Sequence, residues 1–212
     1  MDNSLHAANI FNKLATQYQD KFMDTSMYHD TFDLFCGHIK TQNAGILELA
    51  CGPGNITRYL LYRRPDFKIL GLDLAPNMVR LAKANNPQAD FQVMDCRDIY
   101  KITKKYNAIM CGFCLPYLSK PETLDLIKDA SLLLKPGGVL YLSTMEDDYS
   151  TSGLRKGSTG DEIYMHYYRE SDLVEVLNKN QFTIMNLRRK QYQERQDQMT
   201  TDLIIIAIKN QQ

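Results

Sequence analysis

The sequence predicts an α/β fold: a doubly wound, mostly parallel seven-stranded sheet with helices on both faces and one antiparallel strand near its carboxyl-terminal edge. Three observations predict it. Short apolar runs alternate with amphipathic helical segments through the middle of the chain, and the last two apolar runs are joined by a polar turn alone. The third is length, because 212 residues are enough for one compact domain with a core.

The chain begins with residues whose spacing predicts helices. Apolar residues recur every three or four positions, which places them on one helix face: Ala7, Phe11, Leu14, Tyr18 and Phe22. A second amphipathic segment carries Phe32, Phe35 and Ile39. We therefore expect a helical preface before the first strand.

Short apolar runs then predict five parallel strands, at 45–50, 68–73, 89–95, 106–111 and 139–145. Helical stretches separate these runs. Pro76 opens one of them, at a position where a missing N–H costs nothing, and Ser119 and Glu122 form a capping box at the start of another. The runs at 182–188 and 203–208 are joined only by a polar turn at 194–200, so we expect that pair to be antiparallel.

Composition disfavours several classes of function. Lys plus Arg equals Asp plus Glu at 25 each, which disfavours a protein that holds a nucleic-acid backbone by charge. No secretory signal and no apolar run of membrane-spanning length is present, so we expect no membrane insertion. Five cysteines without a signal predict reduced thiols and a cytoplasmic location. Cys111 and Cys114 form a C-x-x-C pair, but no second pair or nearby His completes a metal set, and we expect none.

Four features fall at the ends of successive predicted strands, where an open α/β sheet binds its ligand. They are the glycine loop in ELACGPGN (48–55), Asp73, Asp95-Cys96, and the corner at Cys111-Gly112. A nicotinamide-binding loop needs a third glycine, and Thr57 occupies that position. S-adenosylmethionine has no phosphate, so a loop with two glycines leaves enough room for its amino-acid tail. The missing glycine and the additional acid at Asp95 favour the same ligand.

These motifs carry a resemblance to a known family. ELACGPGN, then GLD at the end of the second strand, VMDCRDI and LKPGGVLYLS resemble the class I S-adenosylmethionine-dependent methyltransferases, in particular small bacterial members related to ubiquinone/menaquinone-biosynthesis enzymes. The resemblance implies a Rossmann-like fold in a single domain. We expect a helical lid at 1–44, a cofactor-binding core at 45–145, an acceptor-side insertion at 146–170, and a helix with the strand pair at 171–212.

The resemblance also implies roles around the methionine part of S-adenosylmethionine. Glu48 would organise the loop and meet the ammonium, directly or through water. Gly52 and Gly54 would line the methionine portion, with Ala50 at a position where many relatives have glycine. Cys111 and Gly112 would offer backbone carbonyls to the ammonium. Tyr18 resembles the lid tyrosine that contacts the carboxylate in several relatives, and packing is the other interpretation of its position on the apolar stripe.

Around the adenosine, the resemblance implies that Asp73 holds the ribose, with Leu74 beside it and Met78 on the adenine. Asp95 would accept from the adenine amino group, and the Cys96 N–H would donate to the ring. Each has an ordinary alternative. Asp73 can be a helix-capping carboxylate, and Met78 and Phe113 can be core residues. Asp98 is the alternative to Asp95 for the contact with the adenine amino group.

The acceptor side is less defined by the sequence. Candidate general bases lie outside the cofactor motifs. His166 ranks first, because a neutral imidazole can take a proton near pH 7, and Tyr28 and Tyr117 are further candidates. A surface or core histidine is the alternative. Alternation in 163–168 predicts a strand with Tyr164, His166 and Tyr168 on one side. The acidic run at 146–148 favours an amine acceptor, and a solvated surface is its ordinary interpretation.

The expected function is transfer of a methyl group from S-adenosylmethionine to a small-molecule acceptor by in-line displacement, leaving S-adenosylhomocysteine. Two other classes stay open at this point. A non-catalytic S-adenosylmethionine-binding module would bind the cofactor and turn over no acceptor. A nicotinamide-dependent oxidoreductase would bind NADH instead, against the indication of the missing third glycine.

Overall fold

The computed structural model describes residues 2–157, 160–195 and 198–211. Its strands are β1 (Gly45–Leu49), β2 (Lys68–Asp73), β3 (Asp90–Val93), β4 (Tyr106–Cys111), β5 (Leu134–Met145), β6 (Gly153–Lys156), β7 (Glu162–Met165), β8 (Phe182–Arg195) and β9 (Gln198–Lys209). Its α-helices are α1 (Asn3–Lys13), α2 (Ala15–Phe22), α3 (His29–His38), α4 (Asn55–Arg63), α5 (Pro76–Asn85), α6 (Lys120–Leu133) and α7 (Glu170–Lys179).

The main sheet has seven strands in the order β3-β2-β1-β4-β5-β9-β8. β1 to β5 pair in parallel, whereas β9 runs antiparallel to both β5 and β8. The order reverses at β1, so the crossovers place helices on both faces. This confirms the predicted fold class, including the single reversed strand beside the carboxyl-terminal edge.

Alternation along the central strands produces a core on each face of the sheet. Successive side chains of a strand point to opposite faces, so Leu47 packs into one cluster and its neighbour Ile46 into the other. The Leu47 cluster includes α6 and α7, and the Ile46 cluster includes α3 and α4. Both residues are fully buried, which fixes the register of β1 against β2 and β4.

The structure corrects two of the predicted elements. The first apolar stripe belongs to two helices rather than one, because the chain leaves helical geometry at Leu14 (φ −100°, ψ 13°). The predicted strand at 163–168 ends at Met165, since the next N–H, that of His166, donates to the Pro116 carbonyl (2.8 Å) instead of a strand. Two predicted segments lie partly outside the described residues: 158–159 in the insertion and 196–197 in the turn at 194–200.

The parallel strands all end at one edge of the sheet, and α1 lies across that edge. Ser4 Oγ of α1 donates to the Tyr117 carbonyl (2.7 Å), and Asn12 bonds to Asn77 on α5 through two contacts of 2.8 and 2.9 Å. His6 Nε2 lies 3.0 Å from the Glu162 carbonyl of β7. In the described parts of the chain, no helix has the length and apolar character needed to cross a bilayer.

Candidate functional site

A cavity lies between the carboxyl ends of the strands and the helices α1 and α2. Most of the residues predicted to bind the cofactor line it: Tyr18, Ala50, Gly52, Asp73, Leu74, Met78, Asp95, Cys96 and Gly112. Glu48 and Cys111 are fully buried beside it, and Gly54 is buried at the start of α4. The topology therefore brings residues from the ends of β1, β2, β3 and β4 together at one place.

The first helix falls within the predicted lid, but none of its residues was predicted to line the site. Ser4, Ala7, Ala8 and Phe11 line the cavity from this helix. The stripe of Ala7 and Phe11 was visible in the sequence, but periodicity alone does not distinguish a helix face packed on a core from one packed over a cavity. Phe11 contacts both Tyr18 and Tyr117 edge-on, with ring centroids 5.6 and 5.0 Å apart. These rings form an aromatic wall.

The glycine loop after β1 has the left-handed backbone that its sequence requires. Ala50, Gly52 and Gly54 have φ values of 51°, 53° and 78°. At Gly54, a Cβ atom would lie 2.3 Å from Nδ2 of Asn86 and 3.3 Å from Ala82 on α5. A side chain at Gly54 is therefore excluded by space as well as by backbone conformation.

Asp73, at the end of β2, connects this loop to α5. Its Oδ2 accepts the Gly52 N–H and its Oδ1 accepts the Ala75 N–H, both at 2.8 Å. Burial raises the pKa of Asp73, and these two backbone N–H groups oppose that shift. The helix-capping interpretation does not hold, because the N-cap of α5 is Ala75; the carboxylate fixes the turn between β2 and α5 instead. Each oxygen accepts only one of these bonds, so each also has capacity for a ligand hydroxyl.

Glu48 lies under the loop with one carboxylate oxygen unsatisfied. Its Oε2 accepts a hydrogen bond from the Thr57 hydroxyl. Thr57 occupies the position of the third glycine in a nicotinamide-binding loop. Its Oε1 is buried and has no hydrogen-bond partner among the described residues. Burial is the main cause that raises the pKa of Glu48 to about 8. An orphaned carboxylate oxygen of this kind fits the ammonium group of an amino-acid tail.

Asp95 is already bonded to a guanidinium. Its oxygens accept from Arg97 Nε at 2.9 and 3.1 Å and from Nη2 at 2.7 Å. Arg97 also bonds to Asp2, the N-cap of α1, and to Glu122 on α6. Arg97 thereby fastens α1 over the site. The rival acid, Asp98, pairs with Lys101 at 2.8 Å and does not line the cavity.

The cysteines contribute small thiols to the site. Cys96 and Cys114 both line the cavity, with their Sγ atoms 3.4 Å apart. The Cys114 pKa is raised by its hydrogen bond with Cys111 and by burial, so the thiol stays protonated. Among the described residues, no group of three or more His, Cys, Asp or Glu side chains has the arrangement of a metal site.

Tyr28 lies behind Phe113, a residue of the cavity wall. The two rings meet edge-on with centroids 5.2 Å apart. The Tyr28 hydroxyl donates to Oδ2 of Asp202 at 2.6 Å, across 174 positions of sequence. Asp202 lies on β9 with no exposed surface. Burial, followed by this hydrogen bond, raises the pKa of Tyr28 well above its ordinary value. Sequence reasoning selected Tyr28 and missed Asp202.

The other two catalytic candidates occupy different environments. Tyr117 lines the cavity against Phe11, and burial raises the pKa of its hydroxyl. His166 is 5% exposed and is not part of the cavity wall. Its Nδ1 lies 3.1 Å from the Tyr149 hydroxyl, and burial lowers its pKa, which keeps the imidazole neutral.

The acidic run at 146–148 is largely engaged in ion pairs. Glu146 accepts from Arg189 at 2.5 and 2.7 Å, and Asp148 pairs with Arg169. Tyr168, expected on the acceptor side, is buried instead and donates to the Leu118 carbonyl at 2.5 Å. Neither feature reaches the cavity.

Comparison with known proteins finds similarity to methyltransferases. Residues 46–138 match a family model described as a methyltransferase domain. Protein 235L of Invertebrate iridescent virus 6, which carries a provisional methyltransferase name, is 30% identical over 146 residues, 67% of this chain and 53% of its own length. A ubiquinone biosynthesis O-methyltransferase of Xanthomonas campestris pv. campestris is 28% identical over 118 residues, 53% of this chain and 48% of its own.

A solved structure extends the similarity to the whole fold. The magnesium protoporphyrin IX methyltransferase from Synechocystis PCC 6803, solved with bound S-adenosylmethionine, superposes with a TM-score of 0.76. The match covers 99% of this chain and 98% of that one at 16% identity, so it establishes the fold. The chain spans about half the length of the curated relatives it matches.

Proposed function

We propose that this chain, whose residues 46–138 match a methyltransferase-domain model, is a class I S-adenosylmethionine-dependent methyltransferase that transfers a methyl group from S-adenosylmethionine to a small-molecule acceptor. One observation carries the proposal. Asp73 and the loop residues Ala50 and Gly52 line one cavity at the carboxyl edge of the sheet, and Glu48, with its orphaned oxygen, is buried near the end of β1, two residues before Ala50. These three features suit one ligand, with its ammonium at Glu48, its flexible tail along the glycine loop and its ribose at Asp73.

The residues of the site divide the work of holding the cofactor. Asp73 would accept from the ribose hydroxyls and Glu48 from the ammonium, with the carbonyls of Cys111 and Gly112 beside it. Asp95 and Cys96 lie at the adenine end, and the Tyr18 ring lies over Gly52. When bound, S-adenosylmethionine supplies a methyl group on a sulfonium, which the acceptor displaces in line. The chain contributes alignment and exclusion of water by α1.

The cavity lining supports an acceptor without negative charge, and we propose an amine that reacts in its neutral form. Among the described residues, the charged side chains that line the cavity are Asp73 and Asp95, and no Lys, Arg or His joins them. An anionic acceptor would have no partner there. Aromatic walls at Phe11, Phe113 and Tyr117 suit an apolar body next to the amine.

Tyr28 and Asp202 are one candidate pair for taking a proton from that acceptor. Tyr28 lies behind Phe113 rather than in the cavity wall, so the pair serves an acceptor whose N–H reaches past Phe113, with the Tyr28 proton moving toward Asp202. Tyr117 is a second candidate because it lines the cavity. His166 stays a prediction of the sequence, with its neutral imidazole bonded to Tyr149.

Calorimetry with S-adenosylhomocysteine tests the proposal first. We expect binding at micromolar concentration and at least a tenfold loss in Asp73→Asn, because the charged acceptor of two hydroxyls is lost. Asp66→Asn is the matched control, since Asp66 bonds to Arg64 and the Asn43 N–H at the other edge of the sheet. Absence of binding by the unmodified chain, or equal losses in both variants, would contradict the assignment.

Turnover separates an enzyme from a binding module. Benzylamine, phenol and benzoate present one ring with three head groups, and formation of S-adenosylhomocysteine reports methyl transfer to each. We expect turnover with the amine, a lower rate in Tyr28→Phe, and no turnover with benzoate. If the chain binds the cofactor and methylates neither these compounds nor a wider panel, the non-catalytic alternative takes its place.

A further inference from the structure

We infer that Asn85 and Asn86, at the end of α5, position the glycine loop for the amino-acid tail of the cofactor and link that loop to the lid helix α2. The inference rests on the proposed function and concerns two residues outside the predicted site. Neither lines the cavity. Both act on the loop through its backbone carbonyls, so they are positioning residues.

Asn86 is held against the loop by its side-chain amide. It is 1% exposed, and its Nδ2 donates to the Gly54 carbonyl at 2.9 Å and to the Ala82 carbonyl at 3.3 Å. The Gly54 carbonyl also accepts the Arg58 N–H, the first bond of α4. Asn86 therefore fixes the point at which the loop becomes a helix. Its Oδ1 is buried without a partner in the described residues, a cost that the two donated bonds offset.

Asn85 joins three elements through one amide nitrogen. Its Nδ2 donates to the Pro53 carbonyl in the loop at 2.9 Å and to Oε1 of Gln19 on α2 at 2.8 Å. Gln19 lies one position after Tyr18, which lines the cavity and has its ring close to Gly52. The lid helix and the glycine loop are thus fastened to the same end of α5.

α5 is consequently in contact with both halves of the cofactor site. Its first turn follows Asp73, whose Oδ1 accepts the Ala75 N–H, and carries Met78 in the cavity wall. At its other end, Asn85 donates to the Pro53 carbonyl and Asn86 donates to the Gly54 carbonyl. The helix sets the distance between the acid that would hold the ribose and the loop that would pass the tail. Loss of the two asparagine side chains would release the Pro53 and Gly54 carbonyls, whereas Asp73 would keep its bonds to the N–H groups of Gly52 and Ala75.

The test compares two ligands that differ only in that tail. S-adenosylhomocysteine carries it, whereas 5′-methylthioadenosine keeps the adenosine and the thioether and lacks the amino acid. Calorimetry on Asn85→Ala and Asn86→Ala should show about a tenfold loss of affinity for S-adenosylhomocysteine, the size expected from one or two hydrogen bonds. Affinity for 5′-methylthioadenosine should change less than about twofold.

Two further variants separate the contacts. Gln19→Ala removes only the bond to α2 and should give a smaller loss than Asn85→Ala. Asn77→Ala is the matched control, because Nδ2 of Asn77 donates to α1 at the opposite end of α5 and touches no loop carbonyl. We expect Asn77→Ala to affect the two ligands alike.

Thermal melting without ligand shows whether a variant has merely lost stability. Equal weakening of both ligands in Asn85→Ala and Asn86→Ala, or no change in either, would overturn the inference and leave the proposed function intact. A chain that binds neither ligand before any substitution would overturn both.

Discussion

We predict that the buried Glu48 makes cofactor binding depend on pH. With its pKa raised to about 8, Glu48 carries a proton in roughly nine of ten molecules at pH 7. An ammonium placed at Oε1 favours the ionised carboxylate, so binding of S-adenosylhomocysteine should release protons from this site at pH 7, up to about one per molecule. Affinity should therefore increase from pH 6 to pH 8, by up to about tenfold per pH unit at the lower end.

The raised pKa of Glu48 also determines how the free energy of unfolding of the ligand-free chain changes with pH. The unfolded chain loses this proton near 4.5 and the folded chain near 8, so the folded state holds the extra proton between these values. The free energy of unfolding should be highest below pH 4.5 as far as Glu48 is concerned. It should fall as pH rises toward 8, by at most about 5 kcal/mol.

Glu48→Gln is the perturbation that isolates this group. It keeps an oxygen for the Thr57 hydroxyl and removes the titration, so affinity should fall about 10- to 100-fold, the value of a charge-assisted hydrogen bond. Calorimetry in two buffers of different ionisation enthalpy counts the protons released. Glu175→Gln is the control, because Glu175 lies on the surface in a pair with Lys179. A proton count that is the same in the wild type and Glu48→Gln would refute this role.

Three further predictions follow from the packing of the site. Gly54→Ala should lower the free energy of unfolding by about 1–3 kcal/mol and abolish S-adenosylhomocysteine binding, because its φ is 78° and Asn86 occupies the space, as chemical denaturation and calorimetry would show. Arg97→Ala should speed amide hydrogen exchange in α1, which it fastens through Asp2, while exchange in α3, which Arg97 does not contact, stays within about twofold. Asp202→Asn should lower turnover more than cofactor affinity, measured as separate changes in kcat and Kd, if Asp202 receives the acceptor proton through Tyr28. Unchanged exchange, binding or turnover, respectively, would contradict each of them.

The features that sequence predicted well are local ones. The alternation of short apolar runs with helical stretches required a parallel sheet, and the brief turn before the last run required a reversed strand. Strand ends of parallel strands share one edge, which is why Gly52, Asp73 and Asp95 could be assigned to one cavity before any coordinates.

The features that sequence missed depend on partners far apart in the chain. Arg97 meets Asp2 across 95 positions, and Tyr28 meets Asp202 across 174. No periodicity encodes such a pairing. Thr57 was noted only as a missing glycine, although its hydroxyl is what engages Glu48. The alternation at 163–168 misled because His166 bonds to Pro116 in place of a strand partner.

The most direct measurement is a crystal structure of the chain with S-adenosylhomocysteine. We expect the ribose hydroxyls within hydrogen-bond distance of Asp73, the ammonium next to Oε1 of Glu48, and the adenine between Met78 and Cys96. A crevice that stays empty at saturating ligand, or a bound ligand with Asp73 and Glu48 turned away from it, would contradict the account.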